Sequence, residues 1–228
     1  MLSASLITSF QLWASLVLYA GVLLWAVARA PWVELFADLR RQHLFYGSVF
    51  VLGLLWLVRR EFDSGLTFHF IGLTVVTLLL NWQLAIVAAT LAQLAMVILG
   101  VDDAAAFGVN GLLRILGPVA ITMLISQALE RTRPTNLFFY IFVSGFFAGA
   151  AAAASTILVG MGLLAWSGEL TAPDSLLELG GYMLLVMFPE AFINGTVVTG
   201  LVVFAPDWVE TFDSDRYFQE PFDSDRKS

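Results

Sequence analysis

Three polar constellations interrupt an otherwise apolar chain of 228 residues. His69 stands in Gly65-Leu-Thr-Phe-His69-Phe-Ile-Gly72. Its imidazole is a ligand for borderline divalent ions such as nickel, cobalt, copper and zinc, and the glycines on either side let backbone groups approach the same point. The other role open to it is a hydrogen bond between helices. Glu190 and Asn194 stand in Met187-Phe-Pro189-Glu190-Ala-Phe-Ile-Asn194-Gly195. They lie four residues apart on one helical face, beyond a proline that breaks the backbone ladder, so they can line a polar pocket or a pathway. Alternatively Glu190 closes an interior ion pair with Arg114. Asp102-Asp103 with Asn110 form the third group, carboxylates that can attract cations and whose plainer reading is a turn with a helix cap.

Other chemistry is excluded by what the sequence lacks. There is no cysteine, so any metal is held by nitrogen or oxygen. No nucleophile elbow, phosphate-binding glycine loop or His-Glu-x-x-His helix occurs, so the chain reads as neither an enzyme nor an ATP binder. Energy for active transport would come from another subunit or an ion gradient. Asn81, Gln83 and Gln93 read as helix ends or interhelical hydrogen-bonding groups, and His43 beside Arg40 and Arg41 as a surface histidine.

The elements that must position these groups are membrane helices. Hydrophobic residues make up 59% and charged residues 13%, with mean hydropathy +0.85, far from a soluble domain. The net charge of −7 is carried largely by loops and the last stretch, which argues against a nucleic-acid partner. At roughly 20 apolar residues per crossing, seven spans are expected at about 7–28, 44–58, 66–80, 82–99, 111–129, 137–166 and 176–204. The fold class is an all-α polytopic bundle over residues 1–206, followed by an acidic, flexible tail at 207–228. The second and third spans are short, which predicts shielding by neighbours or a start in irregular backbone lining a cavity.

Arg29, Arg40 and Arg41 follow the first span and Arg131 and Arg133 the fifth, whereas the other side carries only Arg59 and Arg60. By the positive-inside rule the N-terminus is outside, the C-terminus cytoplasmic, and His69 just beneath the outer face. Ala28-Arg29-Ala30 resembles a signal-peptidase site, but no positive residue precedes the apolar run, so the first span is expected to stay. Gly145-Phe-Phe-Ala-Gly149 is a small-xxx-small face for close helix packing, within the bundle or against another subunit. In the tail, Phe212-Asp-Ser-Asp-Arg216 nearly repeats as Phe222-Asp-Ser-Asp-Arg226, a solvated segment that is disordered or docks on a cytoplasmic partner.

In this order the motifs resemble the substrate-binding membrane subunit of cobalt and nickel energy-coupling factor ABC importers. The stretch 65–72 is similar to that family's Ser/Gly-x-x-His-Leu-x-Gly, and Leu91-Ala-Gln93 through Asp102-Asp103 to its Leu-x-Gln-Ala-Leu-x-Phe-Gly-Asp-Gly. Ala106-Phe-Gly108-Val-Asn110 is similar to its Leu-Gly-Ala-Asn, and Phe188-Pro189-Glu190-Ala-Phe-Ile-Asn194 to its Gly-Glu-Gly-Leu-Ile-Thr. The likeness runs from the first span to about Asp207.

The resemblance implies a metal held under the external face by the N-terminal amine, a histidine at position two and a later histidine. Only the later one maps here, onto His69, and position two is Leu2. It further implies a multi-pass protein of a bacterial inner membrane that captures a divalent ion and works with a transmembrane coupling subunit and cytoplasmic ATPases. Asp102, Asp103 and Asn110 would shape the pocket. Glu190, with Asn194 and Arg114, would stand behind the ligand or on the ion's path. Two rival readings keep the fold. One is a membrane interaction protein without substrate, using the Gly145–Gly149 face and the tail. The other is an ion-coupled carrier using Glu190.

Overall fold

The structure, a computed structural model, describes residues 2–61, 67–169 and 173–218. Its main helices are α1 (Ser9–Arg29), α2 (Trp32–Ala37), α3 (Leu39–Leu57), α4 (Leu73–Ile98), α5 (Ala104–Thr132), α6 (Leu137–Ser167) and α7 (Pro173–Phe204). Among the described residues five are long and apolar enough to cross a membrane: α1, α4, α5, α6 and the Met183–Phe204 part of α7. The fold is an all-helical, multi-pass membrane bundle, apart from one ribbon of three-residue strands, β1 (Arg59–Glu61) and β2 (Thr67–His69).

α3 falls outside the five because its first turn carries Arg40, Arg41, Gln42 and His43. It packs along α4 nonetheless. The third and fourth expected spans share α4, whose course is broken at Asn81 (φ 63°, ψ 170°). Where that helix goes follows from its neighbours. Ile71 and Gly72 lie against Trp56, Leu52 and Leu55 near the end of α3. Leu79, Leu80 and Leu84 gather with Arg40, Arg41 and Leu44 at its beginning. Met96 then returns to Gly53, and Val101 accepts a hydrogen bond from Arg59. The chain therefore descends through residues 73–80, reverses at Asn81 and climbs back through 82–98. The descending leg is about 12 Å long at 1.5 Å per residue, too short to cross a bilayer alone.

The third span also starts later than the expected residue 66. Residues 67–69 pair with 59–61 in register Arg59 to His69, and helix begins only after Gly72, whose positive φ of 66° ends the extended stretch. The short span thus opens in irregular backbone, as its length required.

α5 and α6 each contain a π-helical stretch, Leu112–Leu116 and Ile141–Phe147. The first holds Arg114 and the second Gly145. A Cβ on Gly145 would stand 3.1 Å from the Gly195 Cα, and one on Gly149 3.2 Å from the Glu190 carbonyl oxygen. These glycines therefore seat α6 directly on α7, an intramolecular contact that brings Glu190 and Asn194 into the core.

The expectation of a flexible tail from 207 needs correction over its first half. Residues 206–218 fold back on the bundle at the Arg41 end, where Val209 and Phe212 are buried with Leu78, Leu129 and Tyr140. Arg41 bridges Glu34 and Glu210, and Arg216 bridges Glu130 at 2.7 Å. The singly spaced aromatics are what sequence reading took for solvated residues: Phe212 lies 4.9 Å from the Tyr140 ring and 5.0 Å from that of Tyr217. The second Phe-Asp-Ser-Asp-Arg copy lies outside the described residues.

Candidate functional site

Because α4 begins inside the bundle, its first N–H groups have no water to bond and need partners from elsewhere. Glu190 and Asn194, one turn apart on α7, supply them. Ile71 N–H donates to Glu190 Oε2 (2.9 Å), Gly72 N–H to Oε1 (2.6 Å), and Val75 N–H to Asn194 Oδ1 (3.1 Å). Asn194 Nδ2 donates in turn to Glu190 Oε1 (2.9 Å). Both side chains are buried. A carboxylate at a helix N-terminus faces the positive end of the dipole, which favours its ionised form, and Glu190 has no basic partner among the described residues. The sequence placed the pair on one face correctly, but the ion pair between Glu190 and Arg114 does not form.

The clamp fixes the loop that carries His69. Its Nδ1 lies 2.8 Å from the Phe70 carbonyl oxygen, which can only accept, so Nδ1 bears the proton. Nε2 is buried and has no hydrogen-bond partner among the described residues. Burial first, then the charges of Arg114 and Arg59, push the imidazole pKa well below its usual range. The ring is therefore neutral with its Nε2 lone pair free, the state a metal requires. Trp56 backs it, with ring centroids 6.0 Å apart, and donates from Nε1 to the Ile71 carbonyl (3.1 Å). A cavity of about 310 Å³ lies alongside, lined by Val58, Arg59, His69, Phe70, Leu185 and Pro189 among others.

Arg114 stacks over Trp56 with its guanidinium carbon 4.1 Å from the ring centroid, and it hydrogen-bonds Asp102 Oδ2. Asp102 Oδ1 meets Arg59 Nη1 at 3.3 Å, and the same Nη1 donates to the Val101 carbonyl (2.6 Å). Two guanidiniums thus hold this carboxylate, one on each oxygen. Asp103 is the cap that its pattern suggested, accepting from Ala105 N–H at 2.9 Å and also from Ala4 N–H at 3.2 Å. Asn110 is likewise engaged, since its side chain pairs both ways with the Leu2 backbone, at 3.0 Å to the N–H and 3.1 Å from the carbonyl. Asp102, Asp103 and Asn110, read as candidate ligands or pocket walls, therefore tie the N-terminal segment and Arg114 to this end of the bundle. Among the described residues no three His, Cys, Asp or Glu gather as a metal cluster.

Sequence reasoning missed Trp56 and Leu2. Trp56 lies in the apolar run Val51-Leu-Gly-Leu-Leu-Trp56-Leu-Val58, with nothing to set it apart from lipid-facing residues. Leu2 carries no polar side chain, and its contribution is its backbone.

These features define a class, a polytopic membrane bundle with a polar site at one end. Over residues 2–208 the sequence matches the family described as the cobalt uptake substrate-specific transmembrane region, and the chain belongs to that family. It is a membrane component of metal uptake and not an enzyme. Two solved structures are similar in fold. The crystal structure of a truncated transition metal transporter shares 17% identity with TM-score 0.69, over 89% of this chain and 98% of that one. A second transition metal transporter structure shares 17% identity with TM-score 0.68, over 88% and 91% respectively. No curated protein matches the chain.

Proposed function

We propose that this chain is the substrate-capture subunit of an energy-coupling factor importer for a divalent transition-metal ion, bound at the His69 end and passed inward when partner subunits drive the cycle. The observation that carries this reading is His69 itself, a neutral imidazole whose buried Nε2 has no partner among the described residues, on a loop fixed by Trp56 and Glu190. Imidazole nitrogen suits nickel, cobalt, copper and zinc. With no ATP-binding motif in the chain, the work falls to a transmembrane coupling subunit and cytoplasmic ATPases. Isolating the tagged protein from its native membrane in mild detergent should recover both. Recovery without partners, together with full uptake in cells lacking such ATPases, would make it an ion-coupled carrier instead.

The arginine asymmetry supports a reading with the His69 end outside and the Arg41 end in the cytoplasm. Cysteines placed singly at Ser3 and Ser228 in this cysteine-free chain should label from opposite sides. Labelling from one side would reverse the assignment for one terminus and remove His69 from the capture face or the tail from the cytoplasm.

The rival reading, a partner-binding protein that has given up its metal, is favoured by one observation. Leu2 stands at position two, where the resemblance implies a histidine, and its side chain is buried among Ile7, Val109, Leu113 and Leu164.

A further inference from the structure

The reversal at Asn81 gives the leg 73–80 two sets of unsatisfied backbone groups, N–H at its start and C=O at its end. Both are met by the same stretch of chain. At the start stand Glu190 and Asn194 of α7. At the end, the Leu78 carbonyl accepts from Thr211 N–H at 3.3 Å and from Thr211 Oγ1 at 3.2 Å. Thr211 belongs to the segment that follows α7 and is itself held by the Tyr140 hydroxyl at 3.1 Å. Flanking it, Glu210 pairs with Arg41, Phe212 packs on Tyr140, and Arg216 pairs with Glu130. An eight-residue helical leg is stiff along its axis, so a displacement imposed at Leu78 is passed to Ile71 and Gly72, two and three residues after His69.

We infer that the segment 206–218 is a positioning latch for the His69 loop: docked at the opposite end of the bundle, it holds the short leg of α4 against α7 and thereby sets the loop. Thr211 and Phe212 are positioning residues, with the Arg216–Glu130 pair as the fastener. Release of the latch frees the Leu78 end of the leg, loosens the bonds from Ile71, Gly72 and Val75 to α7, and lets the loop move. A subunit that displaces the latch from the Arg41 end would act on the His69 end without touching it. The consequence for transport rests on the metal reading of His69, whereas the mechanical coupling does not.

Hydrogen exchange on the full chain without metal tests the coupling, using Phe212→Ala and the milder Arg216→Ala, which breaks an exposed pair and keeps the core. Exchange at Ile71, Gly72 and Val75 should rise by about fivefold or more in at least one variant, while amides in the middle of α1 stay at wild-type rates. A rise confined to 205–218 and the Leu78 end, in both variants, would overturn the latch. So would a uniform rise that includes α1, which would mean general loosening. A chain that binds none of nickel, cobalt, copper and zinc yet shows the long-range rise would defeat the proposed substrate and leave the latch standing.

Discussion

Asp102→Ala should lower stability by about 3–5 kcal/mol, the cost of leaving one partner of a buried pair uncompensated. The stranded group is Arg114, which is 1% exposed and sits over Trp56 with its Nε already lacking a partner. Arg59, the second guanidinium on Asp102, would add like-charge repulsion at the same point. Replacing both ends with apolar residues, Asp102→Leu with Arg114→Met, should recover a large part of the loss, because no charge is then left buried. Chemical unfolding in detergent reads both variants. A loss below about 1 kcal/mol for the single change, the range of an exposed pair, would mean that the cluster is solvated.

His69→Ala should reduce metal affinity by at least about tenfold, the scale on which even groups behind a ligand are felt. The effect is expected to be large because the Asp102, Asp103 and Asn110 side chains are already engaged by Arg59, Arg114, Ala4, Ala105 and Leu2. The fold should survive, since the side chain's hydrogen bond is to the Phe70 carbonyl next to it and the loop is held through backbone groups by Glu190 and Trp56. Loss of binding with an unchanged unfolding midpoint is the expected pair of results.

The sequence made the membrane class plain because hydropathy is additive along a helix and needs no tertiary information. The break between the third and fourth spans was visible at Asn81, a polar residue following Leu78-Leu-Leu80. The true start of the descending leg was not, because Leu66-Thr-Phe-His-Phe-Ile71 is apolar whether its backbone is strand, loop or helix. The common face of Glu190 and Asn194 followed from four-residue spacing. What they grip could not be read, since backbone N–H groups carry no side-chain signature. For Arg114 the sequence suggested only Glu190 as a partner, and the pairing with Asp102 was not read. Asp102 wins because the turn after α4 brings it under the π-helical stretch that presents Arg114, while Glu190 already has its donors. In the tail, acidity hid an aromatic cluster whose partners, Tyr140 and Leu78, lie 72 and 134 residues away from Phe212.

If the chain captures a transition metal through His69, a count of bound metal reads it directly. The full chain is purified without chelator, equilibrated separately with nickel, cobalt, copper and zinc, passed through a desalting step and measured by elemental analysis beside His69→Ala. About one ion per chain for at least one of the four metals, lost in His69→Ala, is the predicted result. Wild-type protein that emerges metal-free from all four, or His69→Ala that retains the wild-type stoichiometry, would contradict it.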